Sequence, residues 1–291
     1  MDGVTIVIII AAVAAAAFVC LLVLYLALLG GKRTESASIE PGGASRVDAE
    51  LDFQFGDIEV SGGSSGLLEA EFTSNVRGFH PEVRYSTSGG EGRLEVKGKP
   101  PSWIAGWLGR TRGTLRFDGS VPLNLDVDLG KGNGDFHIGG LALEKVEIEA
   151  LAGRVDVDAP GEMRLLEEVE IENSAGDISL AMPGRYPAMR SLQVKNSAGN
   201  TRVSLLGGWS RDLDCRISSA AGEVRIELPT DVGVSVEVKS SVGDVKAKGM
   251  TRTPEGAFTN SALGKADVTL RLFVKNTAGE INLVTAPRVS A

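Results

Sequence analysis

The chain has 291 residues, enough for one large domain or two small ones, and its 43% hydrophobic content excludes a wholly disordered polypeptide. Asp and Glu outnumber Lys and Arg by 38 to 30, for a net charge of -8, and no run of basic residues would neutralise a row of phosphates, so nucleic acid is not an expected partner. Glycine, at 37 residues, stands near twice its ordinary usage of about 7%, while aromatic residues make up only 5%, a composition that implies many tight corners.

From Val4 to Leu29 the chain runs 26 residues without a charge. As a helix this stretch would measure about 39 Å against about 30 Å of hydrocarbon, long enough to span a bilayer with some tilt. Sixteen of these residues are Val, Ile, Leu or Phe, which favours insertion. The start Met1-Asp2-Gly3 and the length both argue against a cleaved signal peptide, and Val19 sits where a lipoprotein signal carries a small residue before its cysteine. The basic leader and early glutamate of a pilin-type assembly helix are missing too. The expectation is a retained single-pass anchor over residues 1–30, with the lipid bilayer as a partner. Lys32 and Arg33 follow it and no cation precedes it, so the positive-inside rule leans toward a cytoplasmic C-terminal part; Glu35 and Glu40 follow at once, and the side stays open.

Residues 31–45 read as a polar linker, after which Val47 to Val60 alternate as a strand does. Further strands are expected at 67–73, 82–86 and 93–97, separated by Gly and Ser turns, so that residues 46–120 form a cap or irregular first rungs. One stretch breaks the pattern. Within Pro100 to Arg110, Trp103 and Trp107 fall four apart and on one side of any helical turn. They could meet a bilayer interface or a partner protein, or pack on the end of the core.

From residue 121 to 284 one repeat dominates, in which apolar alternation leads to a small polar corner ending in Gly, and apolar alternation then resumes. Corners are read at Gly134, Gly153, Gly176, Gly199, Gly222, Gly243 and Gly279, with spacings of 19, 23, 23, 23, 21 and 36. Period-two alternation means strands with one buried face, placing Val169, Ile171, Ile178, Leu180, Leu192, Val194, Val203, Cys215, Ile217, Val224, Ile226, Val236, Val238 and Val245 inward. A unit this short cannot bury its apolar face alone, so the copies must stack. The expected fold is all-β, a β-solenoid resembling a parallel β-helix with Gly corners, behind one N-terminal transmembrane helix, with residues 285–291 as a tail. Residues 250–266 break the period and are expected as a lid or lateral loop.

An outward column is expected to run Glu149, Glu172, Lys195, Arg216, Lys239. Residues after the corner glycines (Asp57, Asp135, Asp177, Asn200, Glu223, Asp244, Glu280) could be cation ligands, but turn chemistry accounts for them, and no metal or cofactor is called for. Tyr186 and Trp209 each fall ten residues after a corner Gly, where they could stack on neighbouring rungs or join Trp103 and Trp107 in an interaction patch. Cys20 and Cys215 lie in segments too different to pair.

Leu51 to Val60, Gly66 to Ala70, Pro81-Glu82-Val83, Val121 to Val127 and the Asn-Ser-Ala-Gly-Asp corners resemble the prokaryotic β-strand-repeat proteins labelled putative adhesins, also called toast-rack domains. The resemblance covers residues 46–284. It implies a β-repeat fold in a cell-envelope setting, often beside transmembrane helices, with no catalytic motif to carry over. Together these observations point to a non-catalytic, membrane-anchored binding or scaffolding module with a protein or envelope-polymer partner. A self-assembling structural subunit is the alternative. A polysaccharide-cleaving enzyme is the third reading, disfavoured because His80 and His137 sit in no motif and the acids are scattered.

Overall fold

The computed structural model describes residues 28–288, together with Val19 and Val23. The chain builds two large sheets, one of 11 and one of 12 strands, whose inward side chains form a single hydrophobic core. Each middle rung gives a long strand to one sheet, turns a glycine corner, and gives a short strand to the other, as Ser191–Ala198 and then Thr201–Ser204 do. Rungs pair in parallel, Val194 lying between Ile171 and Ile217 in one sheet and Val203 between Leu180 and Ile226 in the other.

The alternation dictates this arrangement, because every second side chain enters the core and only a neighbouring rung can cover it. Of the fourteen residues expected inward, all but Val238 and Val245 are buried. Those two belong to the terminal rung and are only partly covered.

The corner is a stack of glycines. Gly153, Gly176, Gly199 and Gly222 hold φ between +129° and +138°, which L residues rarely adopt, and a Cβ on any of them would lie 1.7–2.0 Å from the carbonyl oxygen of the glycine one rung earlier. Asparagine secures the same corner: Asn173, Asn196 and Asn276 are buried, and each Nδ2 donates to the carbonyl of Gly153, Gly176 and Gly222 respectively, at 2.9–3.0 Å. The corner read at Gly134 is formed by Gly132 instead. Gly132 holds φ +156° and stacks on Gly56, whereas Gly134 opens the strand Gly134–His137.

Several expectations are corrected here. The sheets are mixed, not wholly parallel: the 12-stranded sheet ends at one side in antiparallel Glu82–Ser88 against Glu91–Gly98, and at the other in Thr251–Arg252 antiparallel to Phe258–Thr259, itself antiparallel to Gly233–Val242. The 11-stranded sheet begins with Leu29–Ile39, Leu68–Val76 and Thr111–Phe117, antiparallel in turn. The fold is therefore all-β in mixed sheets, not a uniformly parallel coil.

The expected transmembrane segment, Val4 to Leu29, lies outside the described residues except for Val19, Val23, Leu28 and Leu29. Among the described residues no helix is long and apolar enough to cross a membrane, and Trp103–Leu108 has six residues. Leu28 is helical and Leu29 starts a strand, pairing with Val76, while Arg77 N donates to Leu28 O at 2.9 Å, so extended pairing takes over from Leu29 onward. A helix running through Leu29 and a linker over 31–45 both give way to this strand.

Chain order and spatial order also part at the C-terminal end. Thr269–Ala278 lies between Leu213–Ala221 and Gly233–Val242, so the last rung fills a gap that the chain has already stepped over. Gly279 accordingly stacks on Gly222, and Gly243 on Gly279. The spacing of 36 is the excursion 249–268 needed to return.

Candidate functional site

The outward faces carry two unlike surfaces. On the long-strand sheet, acids stand beside acids. Glu50 and Asp52 neighbour Asp126 and Asp128, which neighbour Glu147 and Glu149, which neighbour Glu170 and Glu172, at the inter-strand spacing of about 4.8 Å. Lysines at the margins relieve some of the repulsion: Lys97 reaches Glu50 and Glu95, Lys99 pairs with Asp52 at 2.7 Å, Lys145 with Glu147 at 2.6 Å, and Lys195 with Glu172 at 2.8 Å. Asp126, Asp128 and Glu149 have no ion-pair partner among the described residues, and their carboxyls are pushed above the ordinary range by desolvation first and by neighbouring acids second. The Asp-x-Asp and Glu-x-Glu spacings at 126–128, 147–149 and 168–172 were the signal for this face. The expected mixed column differs from the observed one, in which Lys195 neighbours Ser218, and Arg216 instead neighbours Gln193.

The second surface lies at the N-terminal end. Ser102 caps the short helix by accepting from Ala105 N at 3.2 Å, and Ala105 is fully buried. Gly106 presses on the rings of Phe55 and Pro100, where a Cβ would come within 2.7 Å. With that side of the helix against the core, Trp103 and Trp107 point to solvent, 70% and 60% exposed. Lys131 Nζ lies 5.2 Å from the centre of the Trp107 ring, a cation–π distance.

Trp107 borders a groove of about 1000 Å³ whose walls include Lys32, Arg110, Arg112 and Lys131. None of these four cations is in an ion pair among the described residues. The acids of the groove are Asp57 and Glu71, and Asp57 Oδ1 already accepts from Asn133 N and Nδ2 at 2.9 and 3.1 Å. A chain of net charge -8 thus gathers an excess of positive charge beside its two exposed indoles.

Tyr186 and Trp209 are elsewhere and serve another purpose. Their rings stack at 4.8 Å on adjacent rungs, 0% and 5% exposed, with Trp209 Nε1 donating to Leu205 O at 3.1 Å. Burial pushes the Tyr186 phenol up. The four aromatics therefore do not form one patch. Residues after the corner glycines perform turn chemistry: Asp177 Oδ1 accepts from Asn200 N at 2.8 Å, and Asn200 Oδ1 from Glu223 N at 3.2 Å. After Gly132 that position is held by Asn133, not Asp135, which instead pairs with Arg154 at 3.2 Å.

No group of three or more His, Cys, Asp or Glu residues is arranged to hold a metal ion among the described residues. Cys215 is buried and burial pushes its thiol up, which disfavours the thiolate that nucleophilic chemistry requires. His80 pairs with Glu35 at 3.1 Å, while His137 belongs to the strand beside Ser61 and Asp158, and the two histidines share no partner.

No curated protein matches the chain. Among solved structures, a "putative cell adhesion protein" from Clostridium sporogenes is 18% identical, with 88% of this chain and 100% of that one covered at a TM-score of 0.47. A "putative adhesin" from Bacteroides fragilis is 10% identical, covering 87% and 97% at 0.39. A "putative lipid binding protein" from Parabacteroides distasonis is 12% identical, covering 88% and 97% at 0.33. Residues 29–181 match the family described as the N-terminal domain of toast_rack, DUF2154, and residues 126–284 match Toastrack DUF4097, so the chain belongs to the toast-rack family.

Proposed function

We propose that this chain is a non-catalytic, adhesin-like binding module of the cell envelope, and that it makes its contact through the groove beside Trp103 and Trp107. The carrying observation is the conjunction of two solvent-facing indoles with four cations that have no ion-pair partner among the described residues. Indole and guanidinium groups are the side chains most often found at binding hot spots. Family membership supports a non-enzymatic role, as does the dispersal of the histidines and the burial of the thiol. The uncharged sequence from Val4 to Leu29 supports work at the cell membrane.

End-to-end self-assembly is the weaker reading. The long-strand sheet finishes on antiparallel strands at both ends, and the short-strand sheet finishes at one edge on Val245–Lys248, four residues carrying Lys246 and Lys248, and at the other on Leu29–Ile39, eleven residues carrying Lys32 and Arg33. Cationic side chains on both edges discourage addition of another strand.

The test is site-specific photocrosslinking in intact cells, with the reactive residue at position 107 or at position 202 on the middle rungs. An adduct at 107 and none at 202 is expected. Adducts at neither position, or at 202 alone, overturn the assignment. Protease digestion of a C-terminally tagged chain, in intact and then permeabilised cells, assigns the side of the membrane.

A further inference from the structure

We infer that the occupant of this groove is the phosphate-bearing surface of an anionic phospholipid bilayer, an inference that rests on the binding-module reading above. The first argument is charge. Lys32, Arg110, Arg112 and Lys131 are exposed and unpaired among the described residues, against Asp57 and Glu71, and Asp57 is already occupied by Asn133. The local sign is opposite to that of the whole chain, so the groove suits an anion where the rest of the surface would repel one.

The second argument is the type of aromatic residue. Trp103 and Trp107 project from one short helix, and an indole finds its lowest free energy at the headgroup level, where its ring meets apolar chains and its N–H meets polar groups. A soluble anionic partner would need the cations but would leave Trp103, the more exposed indole, uncovered.

The third argument is position. Leu28 and Leu29, the last residues of the uncharged N-terminal sequence, are tied to Arg77 and Val76. A Cβ on Gly78 would meet Pro101, the start of the tryptophan segment, at 3.7 Å, and a Cβ on Gly109 would collide with Val76. The apolar sequence therefore joins the fold beside the tryptophan helix. Lys32 follows three residues later and lines the groove. Indoles and cations thus stand side by side, as interface and headgroup phosphate do in a bilayer.

The experiment uses the full chain in vesicles of brominated phosphatidylglycerol or brominated phosphatidylcholine, with tryptophan emission as the readout. Of the three tryptophans, Trp209 is buried and serves as the internal reference. Quenching in phosphatidylglycerol that disappears in W103F/W107F is expected, with weaker quenching in phosphatidylcholine. Neutralising Arg110 and Arg112 together (R110Q/R112Q) should lower the docked-to-free ratio about 25-fold, at about fivefold per cation.

Retained Trp209 emission and an unchanged circular dichroism spectrum confirm that the variants fold. Equal quenching in both lipids, or none in either, overturns the inference. Shielding of Trp107 from acrylamide by poly(glycerol phosphate), without quenching by vesicles, overturns the lipid assignment and leaves the binding module standing with a polymer partner. If neither vesicles nor polymer protects the tryptophans, both readings fall.

Discussion

Gly199→Ala tests the corner stack most directly. The substitution puts a Cβ 2.0 Å from Gly176 O and 2.5 Å from its carbonyl carbon, at φ +131°. Ordinary carbon–oxygen contacts lie at about 3.3–3.6 Å, so the corner must open by more than about 1 Å. That movement stretches the bonds flanking the glycine, Gly176 N to Ala198 O at 2.7 Å and Ile178 N to Asn200 O at 2.9 Å. Backbone strain costs about 1–3 kcal/mol, and two weakened hydrogen bonds add about 0.5–1.5 kcal/mol each, for a loss of about 2–6 kcal/mol. At about 2–4 °C per kcal/mol for a domain of this size, the midpoint of thermal unfolding should fall by about 4–24 °C. Gly161→Ala is the control, with φ +80° but nothing within 4 Å of its Cβ, so only backbone strain of about 1–2 kcal/mol is incurred. Thermal unfolding followed by circular dichroism separates the two. A Gly199→Ala midpoint no lower than that of Gly161→Ala would refute the steric account of the corner.

Ile217 is fully buried between Val194 and Val274, so Ile217→Asp places a carboxylate with no partner in the core and should abolish cooperative unfolding; a normal melting curve would contradict the register. Lys195→Ala removes an exposed contact with Glu172, and the melting midpoint should stay unchanged. Asp128→Asn should raise the melting midpoint at pH 7, because the raised carboxyl of Asp128 means the folded state holds its proton more tightly than the unfolded chain does. For such a group the stability deficit is complete above the folded value and fades as pH falls toward the unfolded one, so the parent's disadvantage should shrink in melts at lower pH. An Asp128→Asn midpoint no higher than the parent's at pH 7 and low salt would show that the acidic face is not under strain.

The core was largely legible because alternation is a local property. A strand shifted by one residue exposes the wrong side chains wherever it pairs, and so Val194, Ile217 and Ile226 declare their burial without reference to a neighbour. The corner glycines were legible for the same reason, except near residue 132, where Gly130, Gly132 and Gly134 sit at alternate positions and only stacking on Gly56 distinguishes one. The tryptophan spacing indicated a common side of a helix but not which way that side faces. Packing of Ala105 and Gly106 against the core decided that.

Residue pattern alone thus determined an all-β chain of stacked, glycine-cornered units and the inward set of each. Tertiary structure decided the order of the rungs, since Thr269–Ala278 and Gly233–Val242 carry the same alternation and only pairing through space places one inside the other. It also decided that the end strands run antiparallel, that acids from four successive long strands share one face, and that Lys32, Arg110, Arg112 and Lys131 converge from three separate segments on Trp107. The physical reason is range. Side-chain alternation is set within a few residues, whereas sheet pairing and surface charge depend on which distant segment arrives one strand spacing, about 4.8 Å, away.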